Sequence, residues 1–557
     1  MELVDTHALG ACANRLKSSS LFAGTKQIIM GKIAKYLNQL TVGNVFDNPE
    51  ILDAYAVDHS ALKIKPKFVA FPESTEDVQK LMRFFNQLAD KDIRVSVTAR
   101  GAGNDKTGAD LSNGIVISTE KLNHLLEIDP RERLVRVQSG ITLKELNTAL
   151  SVSGLTVPIE GKDNETIGGL ISNCTTDEAA DKYGGISKYV ERIEVVLANG
   201  ECLQTERFKK YALAKKAAEK SFEGKIYRKM AKVVKENEKL IDELSKGYPN
   251  LTGYSNIVHV PRRETLDLMP LFFGAQGTLG IISEVILKAV PRKEKPARVV
   301  ATFKDIAQAV KYMEKVKELK PKVLNLMDLK IVMEARESGK NLDGVIKRLE
   351  DGFVVFASFD EKQNAMLKKV IAIKKDLPRT TKFVFELPEN QTTLNEFENS
   401  LVNYLGYVKN GERVPILTDF YLPSYNLENF LKDLEILSSK LKLDLALFGS
   451  FATSIYSLRP KFNLEDEGFS KLATTFLRAG AYVISRQGGV LAGGSPEGRV
   501  KAVVTNAELP EAELGLYKEI KEIFDKNGIL NPDAKLGANS KFTLTHFRGS
   551  NQPRIMV

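Results

Sequence analysis

The residues with the clearest chemical potential form a glycine-rich turn. It reads RGAGNDKTG and contains Arg100, Gly101, Gly103 and Gly108. Glycine adopts positive φ at no steric cost, so successive backbone N–H groups of such a turn can converge on an anion. In a G-x-G-x-x-G dinucleotide fingerprint the turn opens a helix. Here the third glycine comes later and the turn leads to another apolar run, GIVIS, so the sequence predicts a phosphate cradle of a different kind.

Two further glycine turns follow along the chain. Thr166 opens the stretch TIGGLISN, and Gly274, Gly277 and Gly280 lie in LFFGAQGTLGIISEVILKAVP, at the start of another apolar run. A single glycine turn is a weak indicator, because many folds use glycine only to reverse the chain. Several separated turns, each next to a strand, favour a shared binding site for a phosphorylated ligand.

The segments around these turns have the patterns of regular elements. Val95, Val97 and Ala99 alternate with polar residues before the first turn, which predicts a strand. Ser74, with Asp77 three residues later, predicts a helix N-terminus. A second helix is expected from Thr142. The turns are therefore expected to lie between strands and helices of one domain.

The order of these segments resembles the PCMH-type FAD-binding domain of the vanillyl-alcohol oxidase superfamily of flavoproteins. The resemblance runs from about Asp53 to Arg292 and resumes in FDKNGILNPDAKLG. It implies an α+β fold: a two-subdomain FAD-binding domain and an α+β cap with an antiparallel sheet and helices on one face. The implied segments are an N-terminal helical segment (1–52), the FAD-binding domain (53–297) with a lysine-rich helical insert (206–246), the cap (298–506), and a C-terminal segment (507–557) that returns to the FAD domain and ends in a mobile tail.

The resemblance also implies non-covalent FAD. Asn104 stands where some relatives carry a flavin-linked histidine, and Cys174, in a turn of small residues, is expected to serve only as a packing group. The residues that the resemblance assigns to the cofactor are Arg100, Gly101, Ala102, Gly103, Asn104, Asp105, Gly108, Pro158, Thr166, Ile167, Gly168, Gly169, Ser172, Asn173, Tyr183, Gly184, Gly277, Gly280, Ile281, Ile282 and Asn531. Gln276 replaces the glutamate that is usual in the third turn, so a charge is lost there.

The cap resembles that of FAD-linked D-lactate and glycolate dehydrogenases but departs from it at the reactive positions. In that family two histidines and a glutamate bind a divalent metal, and a further histidine is the base. Here Ser450 and Ser457 stand at the metal histidines, Gly494 at the glutamate and Ser495 at the base. Serine and glycine do not supply the imidazole and carboxylate ligands that such a metal needs. No metal is therefore expected.

Oxidation of a hydroxyl still needs a group that accepts its proton. None of the five histidines lies in the cap, so the candidates nearest by alignment are Tyr456, Glu497 and Lys501 as catalytic groups, with Arg459 and Arg499 holding an anion. Three hypotheses stay open. The first is hydride transfer to FAD from a small acid of the D-lactate, glycolate or D-2-hydroxy acid class. The others are a flavin-binding subunit or pseudoenzyme, and an oxidase of a different alcohol or sugar.

Composition restricts the partners. The chain has 557 residues and a net charge of +9, much of it in a lysine-rich stretch where lysines alternate with glutamates. That pattern indicates a solvated helix face rather than a nucleic-acid site, and an acidic membrane surface is the alternative partner for the charge. Cys12, Cys174 and Cys202 are too far apart for an iron–sulfur cluster. Electrons must then pass to an external acceptor, either a separate iron–sulfur protein or a quinone.

The sequence also predicts a location. It contains no apolar run of membrane-spanning length, and its N-terminus lacks the order of charged and apolar residues of a secretory signal. These features predict a cytoplasmic protein, with peripheral contact at the inner face of the membrane as the alternative.

Overall fold

The computed structural model describes residues 23–247, 253–262, 265–293, 295–337, 352–361, 363–375, 377, 381–387, 394, 397 and 413–548. The first 22 residues of the predicted N-terminal segment and the last nine of the predicted tail lie outside this description. Over the described residues the chain has the expected mixture of helices and sheets, including an antiparallel sheet in the cap.

The first glycine turn follows a strand of a mixed four-stranded sheet. The elements here are α1 (Ala23–Leu40), β1 (Asn44–Phe46), α2 (Pro49–Ala54), β2 (Phe68–Phe71), α3 (Thr75–Ala89), β3 (Val97–Arg100) and β4 (Ile115–Ser118). The strand order is β1-β2-β4-β3, with β4 parallel to both of its neighbours. Ser74 Oγ accepts the Asp77 N–H at 3.2 Å, which confirms the predicted start of α3. The two parallel neighbours end on the same side, and the turn after β3 emerges there.

A second sheet carries the other two glycine turns. The elements of this part of the chain are β5 (Leu125–Asp129), β6 (Leu134–Gln138), α4 (Leu143–Ser151), β7 (Leu155–Thr156), α5 (Ile167–Asn173), α6 (Ala180–Tyr183), β8 (Val190–Val196) and β9 (Cys202–Gln204), followed later by β13 (Ile281–Lys288) and β14 (Val290–Pro291). Strands β7 and β14 pair with each other in a separate two-stranded sheet. The antiparallel order is β5-β6-β13-β8-β9. Because β13 is last in sequence but central in the sheet, the turn before it lies in the middle of the domain.

The lysine-rich insert is helical, as predicted. It contains β10 (Arg207–Lys209), α7 (Lys210–Ala218), α8 (Phe222–Glu236) and α9 (Glu238–Leu244), and β11 (Pro261–Arg262) and β12 (Thr265–Asp267) follow it. In α8, Tyr227 and Met230 are buried whereas Lys225, Lys229 and Lys232 are exposed. The apolar stripe packs on the domain and the lysines face solvent, which confirms the interpretation of a solvated helix face.

The cap is built on a seven-stranded antiparallel sheet. Its elements are β15 (Ala297–Phe303), α10 (Ile306–Glu318), β16 (Val323–Asp328), α11 (Leu329–Glu337), β17 (Phe353–Phe359), α12 (Gln363–Lys375), β18 (Phe383–Glu386), β19 (Leu417–Tyr421), α13 (Leu427–Leu441), β20 (Leu445–Ser450), β21 (Ile455–Pro460) and α14 (Phe469–Arg486). The strand order is β18-β15-β17-β16-β20-β21-β19.

Helices cover both faces of the cap sheet, so the expectation of helices on one face is wrong. Leu324 and Leu326 of β16 join the apolar cluster under α10, whereas Val323 and Met327 pack with α11 on the opposite side. The central strands are apolar at both odd and even positions, and such strands need cover on each face.

The chain then returns to the FAD domain through α15 (Gly498–Glu508), α16 (Glu511–Phe524) and α17 (Ser540–Thr545). The predicted cap boundary at residue 506 falls inside α15. Residues 529–531 pair with β3, where the Val97 N–H donates to Ile529 O at 2.8 Å. The prediction of a mobile tail is corrected for residues 540–548, because Phe547 is buried and packs edge-on against Phe469.

Candidate active site

The first and second glycine turns meet at Gly101. A Cβ added to Gly101 would lie 2.2 Å from Thr166 Oγ1, so only glycine permits this approach. Thr166 caps α5, because its Oγ1 accepts the Gly169 N–H at 3.2 Å. Gly168 lies against Ser139, where an added Cβ would come within 2.8 Å of the Ser139 side chain. Close backbone contact thus brings the two turns to one place.

Gln276 joins the third turn to the other two. Its Nε2 donates to Thr107 Oγ1 and Asn173 Oδ1, both at 3.1 Å, and its Oε1 accepts the Gly498 N–H at 2.9 Å. The residue is buried and has a φ of 51°. One amide side chain therefore connects both other turns to the start of α15.

The three turns enclose an open cleft with about 670 Å³ of empty space. Most of the residues predicted to bind the cofactor line it: Arg100, Gly101, Ala102, Gly103, Asn104, Asp105, Thr166, Gly168, Gly169, Ser172, Asn173, Gly277 and Ile282. The sequence analysis assigned no cofactor role to the other lining residues, Ala99, Ala109, Asp110, Thr119, Ser139, Glu165 and Gln276. Thr119 and Ser139 follow directly after β4 and β6, so a search of strand ends would have found them.

The remaining predicted cofactor residues do not line this cleft: Gly108, Pro158, Ile167, Tyr183, Gly184, Gly280, Ile281 and Asn531. Ile167 and Ile281 are buried in apolar clusters. Tyr183 donates its hydroxyl hydrogen to Asp360 of the cap. Asn531 donates from Nδ2 to Ala109 O at 2.7 Å and to Gln276 O at 2.6 Å, so it holds two walls of the cleft together.

The cleft fits the diphosphate of a dinucleotide. Gly169 and Gly277 leave space on the side of the cleft, because a Cβ on Gly169 would meet only its own capping threonine, and one on Gly277 would meet nothing closer than 3.8 Å. The carboxylate of Asp105 accepts the N–H groups of Thr107 and Ala109, which fixes the first turn. Backbone N–H groups of such a loop are suited to bind an anion, whereas the Arg100 guanidinium donates to Val57 O at 2.9 Å and lies over the Tyr55 ring.

Three buried carboxylates, one of them in the first turn itself, lie close together. Oxygens of Asp58, Asp105 and Asp110 lie within 4.8 Å of one another. Burial and the charges of Asp110 and Asp105 raise the pKa of Asp58 well above its usual value, and burial raises that of Asp110 despite Arg100 nearby. Asp58 Oδ2 and Asp110 Oδ1 receive no hydrogen bond from another described residue. The raised pKa values of both groups predict that the two carboxylates share a proton, which would satisfy both oxygens.

Replacing Asp58 with asparagine is expected to weaken the pH dependence of stability. A carboxyl whose pKa is raised by folding stabilises the protein fully below its unfolded pKa, about 3.9, and loses this contribution as the pH rises through the folded value. Asparagine carries no charge at any of these pH values and can donate to Asp110. We expect the variant to exceed the wild type by about 1 kcal/mol in free energy of unfolding at pH 8.5, and by less at pH 5.5.

Urea unfolding at the two pH values measures this difference. Asp181→Asn makes the same chemical change at an exposed position and should change stability equally at both. A pH dependence of Asp58→Asn identical to that of the wild type would exclude the shared proton.

The three catalytic candidates from the sequence lie inside the cap and its junction. Tyr456 is fully buried, and burial raises the pKa of its hydroxyl. Glu497 pairs with Lys535, and both are buried. Lys501 Nζ donates to Thr418 O, Leu491 O, Ser495 O and Ser495 Oγ at 2.9–3.2 Å, and burial lowers its pKa to about 8. None of them lines the described cleft, and their catalytic roles stay predictions.

The two predicted anion-binding arginines differ in position. Arg499 donates to Gly108 O and Asn531 Oδ1, both at 2.7 Å, so it ties α15 to the first turn. Arg459 is buried in β21. Its charge acts on Asp419 and Lys106. Arg459 thus belongs to a second polar region at the junction of cap and FAD domain.

That region, which we call the junction chamber, is the cluster of charged side chains that Asp419 of β19 forms with Lys106, Lys162, Lys501 and Arg459. Burial alone would raise the pKa of Asp419, but the four cations outweigh it and hold the pKa below its usual value. The chamber adjoins the cleft, because Asp105 and Glu165 line the cleft, Lys106 follows Asp105, and Lys162 Nζ contacts Glu165 Oε1 at 3.0 Å. The sequence analysis missed Asp419, since no motif marks LTDFY.

Two family models match the chain. One is described as "FAD binding domain" and matches residues 66–206; the other, "FAD linked oxidases, C-terminal domain", matches residues 292–534. The chain belongs to the FAD-linked oxidases. FAD is accordingly its cofactor, as the sequence predicted. Burial raises the pKa of the Cys174 thiol to about 12, which disfavours the thiolate and agrees with non-covalent binding.

Curated relatives and solved structures agree with this family. The chain is 26% identical to a D-2-hydroxyglutarate dehydrogenase of Pantoea ananatis over 86% of its own length and 48% of that protein. It is 24% identical to a D-lactate dehydrogenase of Archaeoglobus fulgidus, over 86% and 95%. The chain thus spans about half the length of the first of these relatives. The 4-ethylphenol oxidase of Gulosibacter chungangensis superposes with a TM-score of 0.67 at 15% identity, over 92% and 97% of the two chains, and shows the same fold.

None of the helices that the structure describes is both long and apolar enough to cross a bilayer.

Proposed function

We propose that this FAD-linked oxidase oxidises the hydroxyl-bearing carbon of a small D-2-hydroxy acid and passes the electrons to an external acceptor. When bound, FAD supplies the chemistry by accepting a hydride. The observation that carries the proposal is the junction chamber: four cations converge beside the cofactor cleft, where a hydroxy acid needs its carboxylate held. Curated relatives named as D-2-hydroxyglutarate and D-lactate dehydrogenases support the substrate class.

The chamber residues bind and orient the substrate in this proposal. Lys106 Nζ forms no hydrogen bond or ion pair with another described residue, so its charge is available to a substrate carboxylate. Lys162 is already paired with Glu165, and Lys501 is used by backbone oxygens. Lys106 is therefore the residue that we assign to hold the substrate carboxylate, and the charge of Arg459 lies near it.

Anaerobic mixing tests the function. The purified, yellow protein is mixed without oxygen with D-lactate, glycolate, D-2-hydroxyglutarate or an aldose, and the flavin absorbance is followed. Bleaching by a hydroxy acid is expected. Bleaching only by the aldose would favour an oxidase of a different alcohol or sugar. If dithionite reduces the flavin but none of the substrates does, the protein is better explained as a pseudoenzyme or a flavin-binding subunit.

Replacing Lys106 with methionine is expected to raise KM for the hydroxy acid by about tenfold, with a smaller change in kcat, because one cation–carboxylate contact is worth roughly 1.5–3 kcal/mol. Burial and the nearby cations Lys162 and Arg459 lower the pKa of Lys106 to about 8. The wild-type KM should therefore rise above pH 8, as Lys106 loses its charge, and the variant should lack this rise.

Steady-state kinetics at pH 6.5 to 9.5 measures both effects. Lys121→Met removes a lysine from an exposed turn and should leave KM unchanged. An unaltered KM in Lys106→Met would remove Lys106 from the substrate site.

We also propose that the electron acceptor is a separate molecule. The described cysteines, Cys174 and Cys202, are both free thiols in separate elements, so a separate iron–sulfur protein or a quinone is the acceptor that we propose. A peripheral contact of the exposed lysine face of α8 with acidic lipid would bring the protein near a membrane quinone. Co-sedimentation with phosphatidylserine vesicles at low and high salt tests that contact.

A further inference from the structure

Asp419 occupies an irregular position in the cap sheet. The pairing of β19 with β21 is interrupted between Leu417 and Phe420, and Asp419 has a φ of 51° within the strand. Left-handed backbone within a strand is uncommon outside glycine and is retained where surrounding contacts enforce it. The irregularity turns this carboxylate toward the junction chamber instead of leaving it in the alternation of the strand.

The contacts that enforce this conformation come from residues that replace the metal ligands and the base of the family. Ser457 Oγ donates to Asp419 Oδ1 at 3.1 Å and accepts the Asp419 N–H at 2.9 Å. The N–H groups of Gly494 and Ser495 donate to Asp419 O at 2.8 and 3.1 Å. Three of the four positions where the family resemblance places metal ligands or the base therefore hold Asp419 in place.

The remaining oxygen of Asp419 is available for chemistry. Oδ2 forms no hydrogen bond or close ion pair with another described residue. The titratable and charged groups that face it are Lys106 and Lys162 from the FAD domain, Lys501 from α15 and Arg459 from β21. A carboxylate with one oxygen fixed by Ser457 and the other open, beside Lys106, has the geometry that a positioned general base needs.

We propose that Asp419 is the proton acceptor for the substrate hydroxyl. This inference rests on the proposed oxidation. It names the residue that would take the hydroxyl proton in a site without a metal. The O–H bond breaks and its proton bonds to Asp419 Oδ2, while the oxygen electron pair forms the C=O bond. The C–H bond breaks in the same event and its hydride leaves to oxidised FAD, so atoms and electrons balance. The surrounding cations keep Asp419 ionised, so Oδ2 carries no proton of its own before the transfer.

Asp419→Asn tests the proposal with FAD-loaded protein. Asparagine tolerates left-handed backbone and keeps an acceptor for Ser457, so the variant is expected to fold and to retain FAD. The rate of anaerobic flavin bleaching by the hydroxy acid should fall by about 100-fold or more. Oxalate, which cannot be oxidised, should bind to the variant at least as tightly as to the wild type by calorimetry, because a negative charge has left the chamber. A merely structural role would weaken both.

Ser457→Ala gives a second, independent readout. Loss of the hydrogen bond to Oδ1 raises the pKa of Asp419, so the acid limb of the kcat/KM profile should move to higher pH while FAD content stays constant. Asp181→Asn is the matched control for Asp419→Asn and should change neither readout.

Bleaching of Asp419→Asn within threefold of the wild-type rate would overturn the assignment of Asp419 alone. A wild type that oxidises none of the tested hydroxyl compounds would overturn the proposed function, and the proton acceptor with it.

Discussion

Replacing Gly498 with alanine is expected to release FAD and to lower the free energy of unfolding by about 3 kcal/mol or more. Gly498 has a φ of 52°. A Cβ at this position would lie 2.0 Å from Thr107 Oγ1 and 2.5 Å from Thr107 O. Thr107 cannot retreat, because Asp105 holds its N–H at 2.9 Å and its O accepts the Val500 N–H at 3.1 Å. The clash therefore moves the first glycine turn, and with it the cofactor cleft.

Flavin content per protein and the urea midpoint measure this effect. Gly515→Ala is the matched control: Gly515 lies within α16, and a Cβ there would meet nothing within 4 Å. Alanine is the better helix former, so the control should gain about 0.5–1 kcal/mol and keep its flavin. Full flavin content and an unchanged midpoint in Gly498→Ala would show that α15 does not press on the first turn.

Replacing Gln276 with glutamate, the residue usual in this family motif, is expected to destabilise the protein by about 2–3 kcal/mol at pH 8. The carboxylate cannot donate to Thr107 and Asn173 as Nε2 does. Burial disfavours its charge. Because burial raises the pKa of such a glutamate above its unfolded value of about 4.3, the deficit in stability should be small near pH 5 and should grow as the pH rises to 8.

Gln276→Leu separates charge from lost hydrogen bonds. It leaves the Gly498 N–H without its acceptor and should cost about 1–3 kcal/mol equally at both pH values. Urea unfolding of FAD-loaded protein at pH 5 and pH 8 gives the comparison. Equal stability of Gln276→Glu and the wild type at pH 8 would show that the loops rearrange to accept a glutamate, and that Gln276 is not the tie between the three turns.

Gln276 and Arg499 link the glycine turns to the start of α15. Gln276 bonds both to the other glycine turns and to the first residue of α15, and the guanidinium of Arg499 bonds to backbone oxygens of the first turn. Asn531 completes the connection, since its Oδ1 accepts from Arg499 at 2.7 Å. A change at the start of α15 should therefore be felt at the flavin even though α15 follows the cap in the chain.

The turns that line the cleft were largely predictable because their requirements are local. A close backbone approach demands glycine, as at Gly101 against Thr166, and a helix start demands a capping side chain, as at Ser74. Such constraints leave residue types at fixed spacings that can be read directly. The prediction that helices cover only one face of the cap sheet was wrong, because β16 has apolar residues on both of its faces. The repeated order of strand and helix did not reveal this.

The catalytic side of the site was not predictable in the same way. Alignment pointed to Glu497 and Lys501, but Lys535, which pairs with Glu497, and Thr418 O, which accepts from Lys501, come from distant parts of the chain. Asp419 carries no motif, and its exposure to the chamber depends on an irregularity between two strands.

The sequence by itself determined that the chain has three glycine turns next to strands and a solvated lysine-rich insert. It also determined that no histidine or carboxylate stands at the family's reactive cap positions. These features can be read directly because backbone geometry and ligand chemistry each require particular residue types. Only the tertiary structure decided which charged side chains are paired with other residues of the protein and which are available to a ligand. Burial, pairing and the pKa of a side chain depend on neighbours that the order of residues does not specify.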